Sequence, residues 1–118
     1  MSDFSLLPLE QLLHYCSPLT EPLLPEAQAA WHELQRRAFV EHSDAAWDAL
    51  VTRLWSAVLC WLYMRVPEIA PDDAERLTQS TIWCYQHRQR IHLQSTSLQP
   101  LLPIEHQIQR CLTQLLAA

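Results

Sequence analysis

The sequence predicts an all-α fold, a small helical bundle. Three observations carry that expectation. The 118 residues include no glycine, and tight hairpins and phosphate-cradling loops depend on glycine, so β-rich folds and nucleotide-binding loops are disfavoured. Eight prolines sit mostly between apolar runs, where they punctuate helices. Within those runs apolar residues recur at three- and four-residue spacing. At 49% apolar residues the chain is ordinary globular material, and its length suits one domain or one domain plus an arm.

Residues 1–24 read as a leucine- and proline-rich N-terminal arm, and 25–118 as the helical domain. Pro8 suits the first turn of a short helix, Pro8 to Cys16. Ser17-Pro18 ends it, because a residue preceding proline disfavours the helical basin. The arm either packs its leucines on the body or offers them to a partner. Pro25 opens the next helix, to about His42, with Glu26 at its positive end. Ala27, Ala30, Trp31, Leu34 and Ala38 share one face of it. Ser43 can cap the longest helix, Asp44 to about Val66. Trp47, Leu50, Val51, Leu54, Val58, Trp61 and Leu62 form its stripe, and Trp55, Leu59 and Tyr63 widen it, so cover on more than one side is expected. Pro67 to Pro71 breaks the chain. Asp72 caps the following helix, to about Arg88, with Glu75 as a capping-box partner. Leu77, Thr81, Ile82 and Tyr85 are its apolar face. Gln94 to Pro100 is a polar loop. Pro103 starts the last helix, in which Ile104, Ile108, Cys111, Leu112 and Leu115 share a side.

Charge and cysteine usage narrow the function classes. The net charge is −5, whereas free-standing nucleic-acid binders are usually basic. All eight basic residues are arginine. Cys16, Cys60, Cys84 and Cys111 are far apart and none forms a C-x-x-C pair, which reads as buried free thiols in a reducing, cytoplasmic setting. Met1 is followed by Ser-Asp and not by a basic segment, so no signal peptide is expected. The apolar stretch near Trp55 to Met64 is too short to span a membrane. No glycine-flanked serine elbow, H-E-x-x-H or P-loop lysine is present. The six histidines are scattered. The expectation is a non-enzymatic protein without cofactor or metal.

Two adjoining segments point further. The run Ala46 to Arg65, A-W-D-A-L-V-T-R-L-W-S-A-V-L-C-W-L-Y-M-R, is followed after a short proline-bounded linker by D-D-A-E-R-L-T-Q-S-T-I-W-C-Y-Q-H-R, Asp72 to Arg88. Ala74, Glu75, Leu77 and Gln79 agree with the form A-E-D-L-V-Q-E-x-F, and A-W-D-A-L with the opening A-F-x-x-L. In this order and pattern the chain resembles region two of bacterial RNA polymerase sigma factors of the extracytoplasmic-function type. The stronger match runs from about Ala38 to Gln89, and a weaker one extends to the C-terminal helix. The family's second DNA-reading domain has no counterpart in these residues.

The resemblance implies a sigma-factor-like protein in transcription initiation. It implies docking on a coiled coil of the polymerase's largest subunit through Glu75, Arg76, Gln79 and Ser80, with Arg53 nearby. Arg76 and Ser80 stand where the family is usually acidic. It also implies contact with single-stranded promoter DNA through Arg88, Arg90, His92 and Arg110. For that basic group a solvated helix end is the competing reading. The alternative function is a degenerate sigma-like module without DNA binding, acting as a protein-interaction or regulatory domain. The acidic balance favours this alternative.

Overall fold

The structure is a computed structural model and describes residues 4–94 and 103–117, the side chains of 92–94 excepted. The described residues hold a 3-10 turn at Phe4–Leu6 and five α-helices, with no strand. The helices are α1 (Leu9–Tyr15), α2 (Pro25–Phe39), α3 (Asp44–Arg65), α4 (Pro71–Gln94) and α5 (Ile104–Ala117). The all-α bundle expected from the sequence is thus observed. The chain forms two compact units, Met1–Arg53 and Leu54–Ala118, and the boundary falls within α3. No described helix is long and apolar enough to cross a membrane.

In the first unit, Pro8 and Cys16 flank α1 as its caps. Phe4, Leu12 and Leu19 from the leading segment are buried, as are Ala27, Ala30, Trp31, Leu34 and Ala38 of α2. The leading segment is therefore packed, and polar groups register it. Trp31 donates its indole N–H to the Ser17 carbonyl at 2.9 Å, so a side chain 1% exposed buries its ring without orphaning its donor. Burying an indole contributes about 4–6 kcal/mol. Arg37 reaches from α2 to the carbonyls of Phe4 at 2.9 Å and Leu7 at 2.6 Å.

Helix α2 ends at Phe39, earlier than the His42 expected from sequence. The chain reverses because His42 takes the left-handed conformation, φ 56, letting the Ser43 N–H reach the Arg37 carbonyl at 3.0 Å. Ser43 then caps α3 as expected, its Oγ accepting from the Ala46 N–H at 3.2 Å. Phe39 and Trp47 meet edge-on across this corner, with centroids 5.5 Å apart.

In the second unit, Leu54, Ala57, Val58, Trp61 and Leu62 of α3 are buried together with the inner faces of α4 and α5. Tyr63, expected to widen the buried stripe, is 40% exposed. Trp55 and Leu59 are half-buried. Ile104, Ile108, Cys111 and Leu112 of α5 are buried as their spacing required. All four cysteines are free. Cys16 and Cys111 are buried, but Cys84 is half-buried and Cys60 is exposed, which corrects the expectation of four buried thiols. Cys60 lies between the half-buried Leu59 and the buried Trp61, so an apolar stretch alone did not decide which side it faced.

Candidate functional site: the outer face of α4 and an arginine cleft

Helix α4 starts two residues before the position expected from a cap at Asp72, and it runs to Gln94, past the expected end at Arg88. Pro71 is its first residue and the Ala74 N–H bonds the Ala70 carbonyl at 2.9 Å, so Ala70 and not Asp72 occupies the cap. Proline's preset φ and missing N–H fit the first helical position. Asp72 and Asp73 fall in the first turn, where carboxylates complement the positive helix end.

The helix is two-faced. Ala74, Thr78, Thr81, Ile82, Tyr85 and Gln89 are buried. Leu77, assigned to this face from sequence, is only half-buried. The two threonines donate to carbonyls one turn back, Thr78 to Ala74 at 2.8 Å and Thr81 to Leu77 at 2.7 Å. Their hydroxyls are thereby satisfied inside a packed face. On the outer side Glu75, Arg76 and Gln79 are exposed and Ser80 is half-buried. Arg76 approaches Asp73 at 3.9 Å, a surface pair worth little, so its guanidinium is available. The same face continues into Trp83, 65% exposed, which stacks on His87 at 5.3 Å with a 3° angle between rings. Arg90 and Ile91 extend it, both exposed. The sequence reading omitted Trp83. Its position four residues beyond Gln79 on a polar face was the available signal.

Arg53, grouped with this face from sequence, belongs to the first unit. Its guanidinium reaches the Leu13 carbonyl at 3.5 Å.

The basic residues divide between two sides of the second unit. Arg88 turns toward α5, where its guanidinium bonds the Gln114 side-chain carbonyl. Arg90, two positions on and so about 200° around a helix, lies with Trp83 and His87. The His92 side chain lies outside the described residues, as do residues 95–100 of the expected loop, while Gln94, expected to open that loop, is the last residue of α4. Arg110 lines an open cleft of about 530 Å³ with Arg65, His106, Gln109, Thr113 and Gln114. Arg65, from the last turn of α3, donates to Thr113 Oγ1 and Gln109 Oε1, both at 2.8 Å. These partners are neutral and the cleft lining includes no carboxylate. The Arg65 guanidinium is held in place by neutral partners without being neutralised, which suits an anionic group such as phosphate. The reading from sequence missed Arg65, because its role depends on which helix packs beside it.

Among the described residues no group of His, Cys, Asp and Glu side chains is placed to hold a metal ion. The chain matches no protein-family model, no curated protein and no solved structure.

Proposed function

We propose that this protein is a sigma-factor-like module of bacterial transcription initiation. It docks on the largest-subunit coiled coil of RNA polymerase through the outer face of α4 and contacts single-stranded promoter DNA along the arginine cleft. One observation supports the docking best. Ala74, Thr78, Ile82 and Tyr85 face inward while Glu75, Arg76 and Gln79 stand in solvent. The resemblance in sequence calls for that division, since the positions shared with the sigma pattern must serve both a core and an interface. Basic side chains tracking a strand are the ordinary means of holding single-stranded nucleic acid, and Arg65, Arg88 and Arg110 lie on the α5 side of this unit.

A second reading keeps the docking face and drops the DNA. Trp83 and Ile91, at 65% and 53% exposed, put apolar surface beside Gln79, and aromatic residues are enriched in protein–protein contacts. In that reading the chain is a protein-interaction or regulatory domain.

The direct test is binding of the purified protein to core polymerase from its native cells, with Gln79→Arg as the variant. A bulky cation at the middle of the face should weaken binding at least tenfold, or about 1.4 kcal/mol. His32→Ala, on an exposed position of α2, should leave it unchanged. No binding by the unmodified protein, or equal binding by Gln79→Arg, would sink the docking proposal.

A further inference from the structure

The cleft lined by Arg65, His106, Gln109, Arg110, Thr113 and Gln114 is built from hydrogen-bond donors. Arginine has N–H groups and no acceptor, so a side chain that bonds it must offer an oxygen. Arg65 takes Thr113 Oγ1 and Gln109 Oε1, both at 2.8 Å, and Arg88 takes Gln114 Oε1. Each glutamine thereby has its carbonyl end fixed on a guanidinium, and its NH2 is left to donate. The Thr113 hydroxyl accepts from Arg65 and keeps its own proton to give. Two arginines from outside α5, one at the end of α3 and one within α4, thus set the polarity of a face of α5. Arg110 is four residues from His106 and four from Gln114, so the three share that face, and Arg110 is exposed. All the lining residues belong to one unit, and none of them is a carboxylate.

A donor-lined cleft with two guanidiniums selects a ligand that only accepts and that concentrates its charge at one point. A phosphodiester brings a single negative charge, whereas a phosphate monoester brings about −1.5 to −2 at pH 7 and three strong acceptor oxygens. The forked guanidinium pairs such oxygens two at a time. The volume of about 530 Å³ falls within the range of small-molecule sites, about 300–1,000 Å³, so the phosphate can bring an attached sugar with it. No Trp, Tyr or Phe lines the cleft, so it offers no such ring on which a base would stack. We propose, resting on the reading of this cleft as the nucleic-acid contact, that it seats the terminal phosphate monoester of a nucleotide, at the 5′ end of a strand or on a free mononucleotide, whatever the base.

The test is fluorescence polarisation with the purified full-length protein near pH 7.5, where the monoester is mainly a dianion. A 5′-phosphate should raise affinity for a 3′-labelled 20-nucleotide oligomer about tenfold or more over the 5′-hydroxyl form. AMP and CMP should displace the phosphorylated oligomer equally, within about twofold. Adenosine and cyclic 3′,5′-AMP, a diester, should be weaker by about tenfold or more. Arg110→Gln should erase the gain from the 5′-phosphate. Gln114→Glu, which keeps an acceptor for Arg88 but puts a carboxylate in the lining, should erase it too. Both positions are exposed, and an unchanged melting temperature checks that each variant folds. Displacement by AMP as effective as that by unlabelled phosphorylated strand would assign the site to free mononucleotides, and tighter binding of the strand would assign it to strand ends. A gain from the 5′-phosphate with no binding of the 5′-hydroxyl form would uphold the seat and remove strand tracking. Equal affinity for the two forms would overturn the seat and leave strand tracking. No binding of either oligomer, and none of AMP by calorimetry, would overturn both.

Discussion

At the residue scale, His42 shows what a chain without glycine must do. The corner between α2 and α3 needs one residue with positive φ, and the position falls to an exposed histidine at φ 56. The left-handed conformation costs a residue with a Cβ about 1–2 kcal/mol, and a β-branched side chain tolerates it worst. The hydrogen bonds from Val40 and Ser43 back into α2, at 2.8 and 3.0 Å, and the Ser43 cap on α3 hold the backbone there. His42→Val should therefore lower unfolding free energy by about 1–2 kcal/mol. His42→Gly should be neutral or stabilising, since relief of the Cβ contact opposes the extra freedom glycine gives the unfolded chain. Urea denaturation of the two variants measures this. Equal midpoints for valine and glycine would mean that the corner can relax into another conformation. Because the imidazole is exposed, the difference between the variants reports backbone strain and not lost packing.

At the element scale, the leading segment is held by its buried Phe4, Leu12 and Leu19 together with one charged side chain, Arg37. Leu6 is 81% exposed, so the 3-10 turn at Phe4–Leu6 owes little to that residue. Phe4 is buried and meets Tyr15 edge-on at 5.1 Å. Arg37 closes the arrangement by donating to the Phe4 and Leu7 carbonyls. The same arginine lies 4.0 Å from Glu33, which Arg36 also pairs at 2.6 Å. Glu33 is 8% exposed, and a carboxylate so enclosed needs its cations. Hydrogen bonds from a charged donor contribute about 1.5–3 kcal/mol each. Arg37→Met keeps the aliphatic stem and removes the donors, leaving Arg36 to satisfy Glu33. The variant should lose about 2–3 kcal/mol, concentrated in the turn and α1. Hydrogen exchange of the Leu7 and Leu12 amides should accelerate while the Leu34 amide stays protected. Uniform acceleration across α2 would mean instead that Arg37 matters through Glu33.

At the scale of the whole molecule, charge is unevenly divided, and that decides how the net −5 should be read. Leu54–Ala118 carries Arg65, Arg76, Arg88, Arg90 and Arg110 against Glu68, Asp72, Asp73, Glu75 and Glu105. This unit is neutral, and the entire negative balance belongs to Met1–Arg53. Four of its five acids precede or open α4, away in sequence from Arg88, Arg90 and Arg110. The acidic total, which from sequence counted against nucleic-acid contact, thus says little about the unit bearing the cleft. What was legible beforehand and what was not divide along similar physical lines. Pro25, Ser43 and Pro103 mark helix starts through local chemistry, and the buried face of α5 follows from a 3.6-residue period, so both could be read from neighbours in the chain, whereas Pro71, read as part of a break, proved to be the first residue of α4. Arg65 meets Gln109 and Thr113 across 44 and 48 residues. No local pattern encodes those pairings. The split of Arg88 from Arg90 was available from helical spacing, but reading them as one basic cluster hid it. That split gives the last prediction its form. Arg110 is exposed and lines the cleft, so Arg110→Glu should not disturb the fold, whereas Arg65 also anchors α5. If a single strand follows the cleft, Arg110→Glu should weaken binding of a labelled 20-nucleotide oligomer at least fivefold. It should also reduce the slope of log affinity against log salt by about 0.7 per lost phosphate contact. Arg90→Glu, on the Trp83 face, should change affinity less than twofold. The reverse order would move the strand to the Trp83–His87 stack. Absence of binding by the unmodified protein even at low salt would leave the protein-interaction reading of α4.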